Sequence, residues 1–260
     1  TVGGTTALSA LDIKHTATLD ADITTAGNQS YGGAVTINPA TASFLATAGN
    51  ITFSDAINAG PADSAGSVVN ITAQDGDIQL DGNVTAQTLN VTASGDLTMA
   101  GNADADAMTA DIGGSSSTVS GALTLANGLT KAGLGSLTFT ADNSGTTTVD
   151  VLEGGIQLGD GGTTGSFGTG TINLAGATSF TVNRSDNVTI ASDLLATGTD
   201  PDGALAGGAL VKQGSGTLTL SGANTYADGS SVLAGVLKPG TDGALGSGNV
   251  TVLSGAQLDL

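Results

Sequence analysis

The sequence predicts an all-β chain, a right-handed parallel β-helix (β-solenoid) of about 19–20 residues per coil. Three observations carry this. Apolar residues recur two apart in short runs, with Thr, Asn or Gln between them. Gly, Asp, Asn and Ser clusters separate the runs. The runs also repeat at a near-constant spacing along the 260 residues.

The alternation is plain in Ile78-Gln-Leu80, Leu89-Asn-Val91-Thr-Ala93, Leu97-Thr-Met99, Leu123-Thr-Leu125 and Val250-Thr-Val252. A period of two over three to five residues is the pattern of a half-buried strand. The separating clusters are turn formers, and no helical periodicity interrupts them. The chain has few large apolar residues and 3% aromatics, so intrinsic disorder is the competing reading. A disordered chain has no reason to keep the alternation from end to end.

GDIQLDGN (76–83) recurs as GDLTMAGN (95–102), an offset of 19 that aligns Leu89 with Met108 and Val91 with Ala110. Upstream, GNITFSDAINA (49–59) matches GDIQLDGNVTA (76–86) at 27, and VVNITA (68–73) matches TLNVTA (88–93) at 20. The difference is a seven-residue insertion within GPADSAGS, which reads as a surface loop. A unit of this length, with about three short strands, cannot bury its own inward residues. Stacked units can, each strand pairing with the coils before and after it. About 13 coils would form a rod on the order of 60 Å long, at roughly 4.8 Å per coil. Small inward residues (Ala, Val, Thr, Gly) are expected. A sandwich or open barrel would show longer strands and no such repeat.

The net charge is −18, from 22 Asp and a single Glu, Glu153, against five Lys or Arg. Asp favours turns, where its carboxylate accepts backbone N–H groups. No basic patch can form, which argues against nucleic acid and anionic membrane as partners. Dispersed negative charge discourages edge-to-edge association of strands. The chain has no cysteine, hence no disulfide framework and no thiolate metal site. It starts TVGGTT without a leader, and no apolar run reaches membrane-helix length. It reads as an internal piece of a longer protein, with no membrane insertion in this segment.

The lysines raise a second pattern. LTKAGLGSLTFTADNSG (129–145) and LVKQGSGTLTLSGANTY (210–226) agree at seven of seventeen positions, at a sequence offset of 81. With coils of the length predicted above, that offset is expected to be about four coils. LVKQGSGTLTLSGANTYADGSSVLAGVLKPG (210–240) resembles the passenger-associated repeat of bacterial autotransporters. Its motif residues here are Lys212, Gly214, Gly216, Leu218, Leu220, Ser221, Gly222, Asn224, Tyr226, Val232, Gly235 and Leu237. The copy at 129–158 keeps Lys131, Gly133, Gly135, Leu137 and Asn143, and has Gly145 where the family has Tyr. Segments such as VGGTTALSALDI (2–13) and NQSYGGAVTI (28–37) are similar to repeats of filamentous-haemagglutinin-like exoproteins. The expected organisation is therefore 1–128 as haemagglutinin-like coils, continuous with 129–260 as coils carrying two autotransporter-type repeats (129–209, 210–260). The resemblance implies the parallel β-helix, type V secretion and a place on the outer surface of a Gram-negative bacterium or outside it. It also implies a structural or adhesive role in cell attachment or biofilm.

Candidate chemistry is sparse. His15 is the single histidine, and no nucleophile elbow accompanies it. Asp20/Asp22, Asp75/Asp77, Asp104/Asp106 and Asp200/Asp202 are i,i+2 carboxylate pairs that a polysaccharide-active β-helix would use, but aromatic sugar platforms are scarce. DGDIQLDGN (75–83) gathers Asp75, Asp77 and Asp81 without the Gly and the closing Glu of an EF-hand. GDGG (159–162) is too short for a nonapeptide calcium repeat. Thr146 and Thr148 lie in scattered Thr-x-Thr runs that lack a regular ice-binding array. Eight Asn-x-Ser/Thr sequons, at Asn28, Asn50, Asn70, Asn83, Asn90, Asn183, Asn187 and Asn249, follow from an Asn- and Thr-rich strand pattern. No catalytic, cofactor or dedicated metal residue is expected; only weak calcium binding by the acidic surface is. Binding is expected on inserted loops at 58–67, 113–121, 159–171 and 196–209. Ligands would be host-cell, glycan or neighbouring-cell surfaces. The alternatives are a self-associating filament subunit and a paired-Asp enzyme.

Overall fold

The computed structural model describes residues 6–60, 66–143, 148–168, 170–199 and 205–260. Every regular element among them is a β-strand, and no helix forms. The chain divides into two compact units, Thr1–Leu129 with Gly135–Leu137, and Thr130–Leu134 with Thr138–Leu260. Each is a stack of parallel coils.

In the first unit each coil contributes strands to three faces. The first face stacks Leu11–Ile13, Gln29–Tyr31, Ile51–Phe53, Ile78–Leu80, Leu97–Met99 and Ser117–Val119, each parallel to the next. The second stacks Ala17–Leu19, Val35–Ile37, Ile57–Asn58, Val84–Thr85 and the start of Ala103–Ile112. The third stacks Ile23–Thr25, Thr41–Ala46, Val68–Ala73, Thr88–Ala93 and the remainder of Ala103–Ile112. The repeat alignments are the pairing registers. Ile78 pairs with Leu97 and Ile51 with Ile78, Val68 pairs with Thr88, and Leu89 pairs with Met108 and Val91 with Ala110. The extra residues of the longer coil fall between Asn58 and Val68, in the segment expected as a loop; residues 61–65 lie outside the described residues.

The interior holds larger side chains than expected. Ile, Leu, Val, Phe and Met fill the columns, with Ala among them, while most strand threonines face outward. Each fully buried Leu or Ile contributes roughly 2 kcal/mol. Tyr31 stacks flat on its register partner Phe53, with ring centroids 4.4 Å apart and planes 6° from parallel, and Phe44 packs edge-on to both. A parallel, in-register stack brings like residues into contact every coil, so aromatic pairing needs no long-range coincidence.

In the second unit the first face stacks Gly155–Leu158, Ser179–Asn183, Ala209–Gln213, Ser230–Val232 and Val250–Val252. The second face stacks Val188–Ile190, Thr217–Leu220, Val236–Pro239 and Gln257–Leu258. The third stacks Thr148–Val151, Thr171–Leu174 and Leu194–Ala196. One antiparallel pair, Gly198–Thr199 with Leu205–Ala206, leaves the coil as a hairpin. It explains why the coil that brings Ser179 into register with Ala209 is so long.

Two expectations are corrected. Residues 113–121 are not an inserted loop: they contain the first-face strand Ser117–Val119, in register with the preceding coil. The offset of 81 is not four coils. Lys212 pairs with Val182 and Val182 with Leu158, and the N–H of Gly159 bonds to Phe139 O. Phe139 lies on the strand that follows Lys131, so the offset is three coils plus one face. Long coils in this unit absorb the difference.

Candidate functional site

The repeated lysine is a buried turn cap. Lys131 closes the long strand Leu123–Ala132 and Lys212 closes Ala209–Gln213; their residue exposures are 0% and 1%. Each ammonium folds back onto the turn that follows. Lys131 Nζ donates to Ala132 O (2.5 Å) and Gly133 O (2.7 Å). Lys212 Nζ donates to Gln213 O (2.5 Å), Gly214 O (2.8 Å) and, in the next coil, Ala234 O (3.2 Å). The turns point carbonyls inward because Gly133 and Gly214 adopt left-handed backbone, with φ of 74° and 70°. Buried carbonyls require donors, and an ammonium supplies three on a flexible stem. Burial pushes Lys212 below its ordinary value.

Asn143 and Asn224, related by the same offset, each donate to a backbone carbonyl of the following coil. Asn224 accepts the Leu194 N–H (2.8 Å) and donates to Ala244 O (2.5 Å), linking three coils. Asn143 donates to Ser166 O in the following coil (3.0 Å). Tyr226 is fully buried and its hydroxyl meets Ser230 Oγ at 2.7 Å; burial pushes it up to about 12. Gly145, the counterpart of Tyr226, lies outside the described residues.

The acidic and amide residues line the corners of the first unit as ladders. The side-chain oxygen of Asn28 accepts the N–H of Asn50, that of Asn50 accepts Asp77, that of Asp77 accepts Asp96, and that of Asp96 accepts Ser116, at 2.8–2.9 Å. A second corner carries Asn83 to Asn102 and Asn102 to Ala122. The recurrent Gly-Asn and Gly-Asp pairs follow from this. A Cβ on Gly95 would stand 2.1 Å from Asp77 Oδ1, and one on Gly101 would stand 2.0 Å from Gly82 O. The Asp residues do bond backbone N–H groups, as their turn preference suggested, but the partner belongs to the next coil. Beside the first ladder, a polar groove of about 230 Å³ is lined by Asn50, Thr52, Asp77, Gln79, Asp96 and Thr98.

Arg184 is the clamp that sequence reading passed over. It is 7% exposed. Nε and Nη2 hold the two Asp186 carboxylate oxygens, each at 2.8 Å. Nη1 donates to Gly165 O (2.9 Å) and lies 3.7 Å from Asp142; Nη2 also donates to Thr163 O. Every nitrogen of the guanidinium is thereby engaged. Hydrogen bonding to Arg184 holds the Asp186 carboxyl below the usual range, and the same bond raises Arg184. The clamp fixes the segment after Gly159. The signal available was the single arginine in a chain with five cations, 19 residues after GDGGTTG (159–165).

Several members of the carboxylate pairs are engaged elsewhere. Asp20 accepts Asn38 Nδ2 (2.7 Å), Asp22 accepts the Ser43 N–H (2.9 Å), and Asp77 belongs to the corner ladder. Asp104 and Asp106 alternate with buried Ala103 and Ala105 and face outward. Asp200 and Asp202 lie outside the described residues, as does Thr146. Asp81 accepts Gln79 Nε2, and Asp160 closes a local turn onto the Gly162 N–H. Among the described residues no three His, Asp or Glu side chains gather to hold a metal ion. His15 is exposed in the turn between Leu11–Ile13 and Ala17–Leu19. Several sequon asparagines serve the stack: Asn28, Asn50, Asn83 and Asn187 accept backbone N–H groups, and Asn90 donates to Asn70 (2.9 Å). Sequence reading also missed the buried network of Thr25, Gln29 and Tyr31, in which Tyr31 donates to Gln29 Oε1 (2.9 Å) and Gln29 to Leu45 O (2.8 Å).

The passenger-associated-transport-repeat family matches at residues 129–151 and 210–238, the segments that carry the two lysine caps. The chain is similar to the adhesin BmaC autotransporter of Brucella suis biovar 1 (strain 1330), with 34% identity over 134 residues. That match covers 46% of this chain and 4% of the Brucella protein, so the chain spans a small part of this relative's length. No solved structure matches.

Proposed function

We propose that this chain, built around two passenger-associated transport repeats, is an adhesive stalk segment of a large autotransporter-type protein. It is displayed outside the cell or on the outer-membrane surface. The observation that carries the reading is that the repeat's defining residues are structural. Lys131 satisfies carbonyls of its own turn, and Lys212, Asn143 and Asn224 satisfy backbone groups of the following coil. A chain whose recurring polar residues are devoted to stacking is suited to a mechanical task, holding contact surfaces away from the cell. Its role is non-enzymatic: Asp22 and Asp77, each a member of an i,i+2 pair, are taken up by backbone N–H groups of the next coil. It works without a cofactor, and calcium acts only as a weakly held counter-ion of the acidic surface. Ligands are surface molecules of a host or neighbouring cell.

The test excises residues 1–260 in frame from the full-length surface protein. Attachment should fall while surface display, read by antibody against the remainder, is kept. Beads coated with the purified chain then divide the role: binding to target cells assigns contact to this segment, and inert beads assign it presentation alone. Unchanged attachment after excision would contradict the reading.

A further inference from the structure

Asn127 is an asparagine that the stack does not use. It lies in the long strand Leu123–Ala132, whose alternation of buried and exposed residues breaks at one point. Ala126 and Asn127 are both exposed, and Gly128 and Leu129 are both buried. Two like residues in a row mark a bend, since an extended strand turns each side chain to the opposite side of its neighbour. Gly128 takes that bend with a φ of 127°, a conformation that a Cβ would strain. The Asn127 side chain has no hydrogen-bond partner among the described residues.

Other asparagines are occupied. Asn28, Asn50, Asn83 and Asn187 accept backbone N–H groups of the following coil, and Asn143 and Asn224 are buried. The chain also has a single Asn-Gly pair, Asn127-Gly128; every other asparagine precedes a residue that carries a side chain. That difference matters chemically. An asparagine amide is open to attack by the backbone nitrogen of the next residue, and glycine alone brings that nitrogen without a Cβ in the way. Exposure of Asn127, the bend and the glycine thus coincide at one place.

We propose that Asn127-Gly128 is a site of spontaneous covalent modification, at which Asn127 deamidates with water as the only co-reactant. The Gly128 nitrogen gives up its proton and attacks Cγ of Asn127. A bond forms between them, closing a succinimide ring. The Cγ–Nδ2 bond breaks, and the amide nitrogen takes up a proton and leaves as ammonia. Water then opens the ring at either carbonyl, breaking one of its two C–N bonds. The product is an aspartate, or an isoaspartate whose main chain runs through the former side chain. One water is consumed and one ammonia released, and nothing is oxidised or reduced. Either product adds a negative charge to a chain already at −18. The isoaspartate also lengthens the backbone by one carbon, just ahead of Leu129 and the Lys131 cap. These two are 1% and 0% exposed, and a close-packed column cannot absorb the extra length without shifting one of them. Age therefore loosens the chain where the main segment of the first unit ends, at Leu129. The proposal goes beyond the adhesive reading and does not depend on it.

The test ages the full folded chain at neutral and at mildly alkaline pH. Peptides are then mapped by mass spectrometry, with fragmentation that separates aspartate from isoaspartate. Product should accumulate at Asn127 several times faster than at any other asparagine, and faster at the higher pH, because the attacking nitrogen must lose its proton. Asn127→Gln closes its ring far more slowly and should stay intact; at an exposed position it should fold as the parent chain does. Limited proteolysis of the aged parent should cut near Asn127 and Lys131 several times faster than that of aged Asn127→Gln. Freshly prepared Asn127→Asp, which adds the charge without the extra carbon, should resist like the unaged parent. No product at Asn127 in the folded chain overturns the site, whether or not the urea-unfolded chain forms it. Equal rates at Asn127 and at Asn249, which is exposed but followed by Val250, overturn it as well.

Discussion

The ammonium of Lys212 reaches from its own coil to the carbonyl of Ala234 in the next, 3.2 Å away, while also holding Gln213 O and Gly214 O. One charge therefore satisfies two successive turns. Lys212→Met should leave these carbonyls without a donor and cost about 3 kcal/mol, at about 1–3 kcal/mol per orphaned buried group with partial relaxation. Lys212→Arg should not rescue it, because the planar fork is too broad for a site built for a compact ammonium. Urea unfolding of the three chains measures the difference.

The corner ladders make opposite predictions for a side chain and its glycine. Asp77→Asn keeps the oxygen that accepts the Asp96 N–H and should change stability by less than about 0.5 kcal/mol. Asp77→Ala should cost about 1 kcal/mol, one exposed hydrogen bond. Gly101→Ala should cost about 3 kcal/mol, since its Cβ would meet the backbone oxygen of Gly82 at 2.0 Å and overpacked backbone cannot give way. Thermal unfolding ranks the three.

Both tyrosines of the chain, Tyr31 and Tyr226, are fully buried, and burial raises both. Tyr226 is pushed up to about 12. Since the folded value exceeds the unfolded one, near 10, the folded state binds more protons in that window and stability falls as pH rises through it. The share of Tyr226 is fully present below about pH 10 and amounts to about 3 kcal/mol when lost. Tyrosinate absorbance should thus appear together with unfolding. Tyr226→Phe should flatten part of the alkaline slope in a pH series of urea midpoints.

Arg184→Lys should loosen the segment after Gly159 without unfolding the unit. A lysine offers no fork for Asp186 and cannot also reach Thr163 O and Gly165 O. Limited proteolysis should cut at 159–168 several times faster than in the parent chain, with a small change in melting temperature. If cleavage is unaltered, the clamp is not what holds this segment.

Much of this was legible in the sequence because a parallel stack turns repeat spacing directly into register. The offsets of 19, 20 and 27 are the pairings of Ile78 with Leu97, Val68 with Thr88 and Ile51 with Ile78. The face of each lysine was not legible, because coils of unequal length make a residue count a poor measure of coil number. Asp pairs invited a catalytic reading only because their partners, such as the Asp96 N–H, are about a coil away in sequence.

The most direct test asks whether distance follows coil number or residue number. The chain lacks cysteine, so pairs of spin labels can be placed at the outward positions Thr52, Gln79, Thr98 and Thr118, which are stacked in register. Separations should rise by about 4.8 Å per coil. The pair 52/79, at the long offset of the inserted coil, should lie as close as the pair 79/98, at the shorter one. A 52/79 distance clearly longer than 79/98, or a 52/118 distance that is not about three times the single step, would contradict the account.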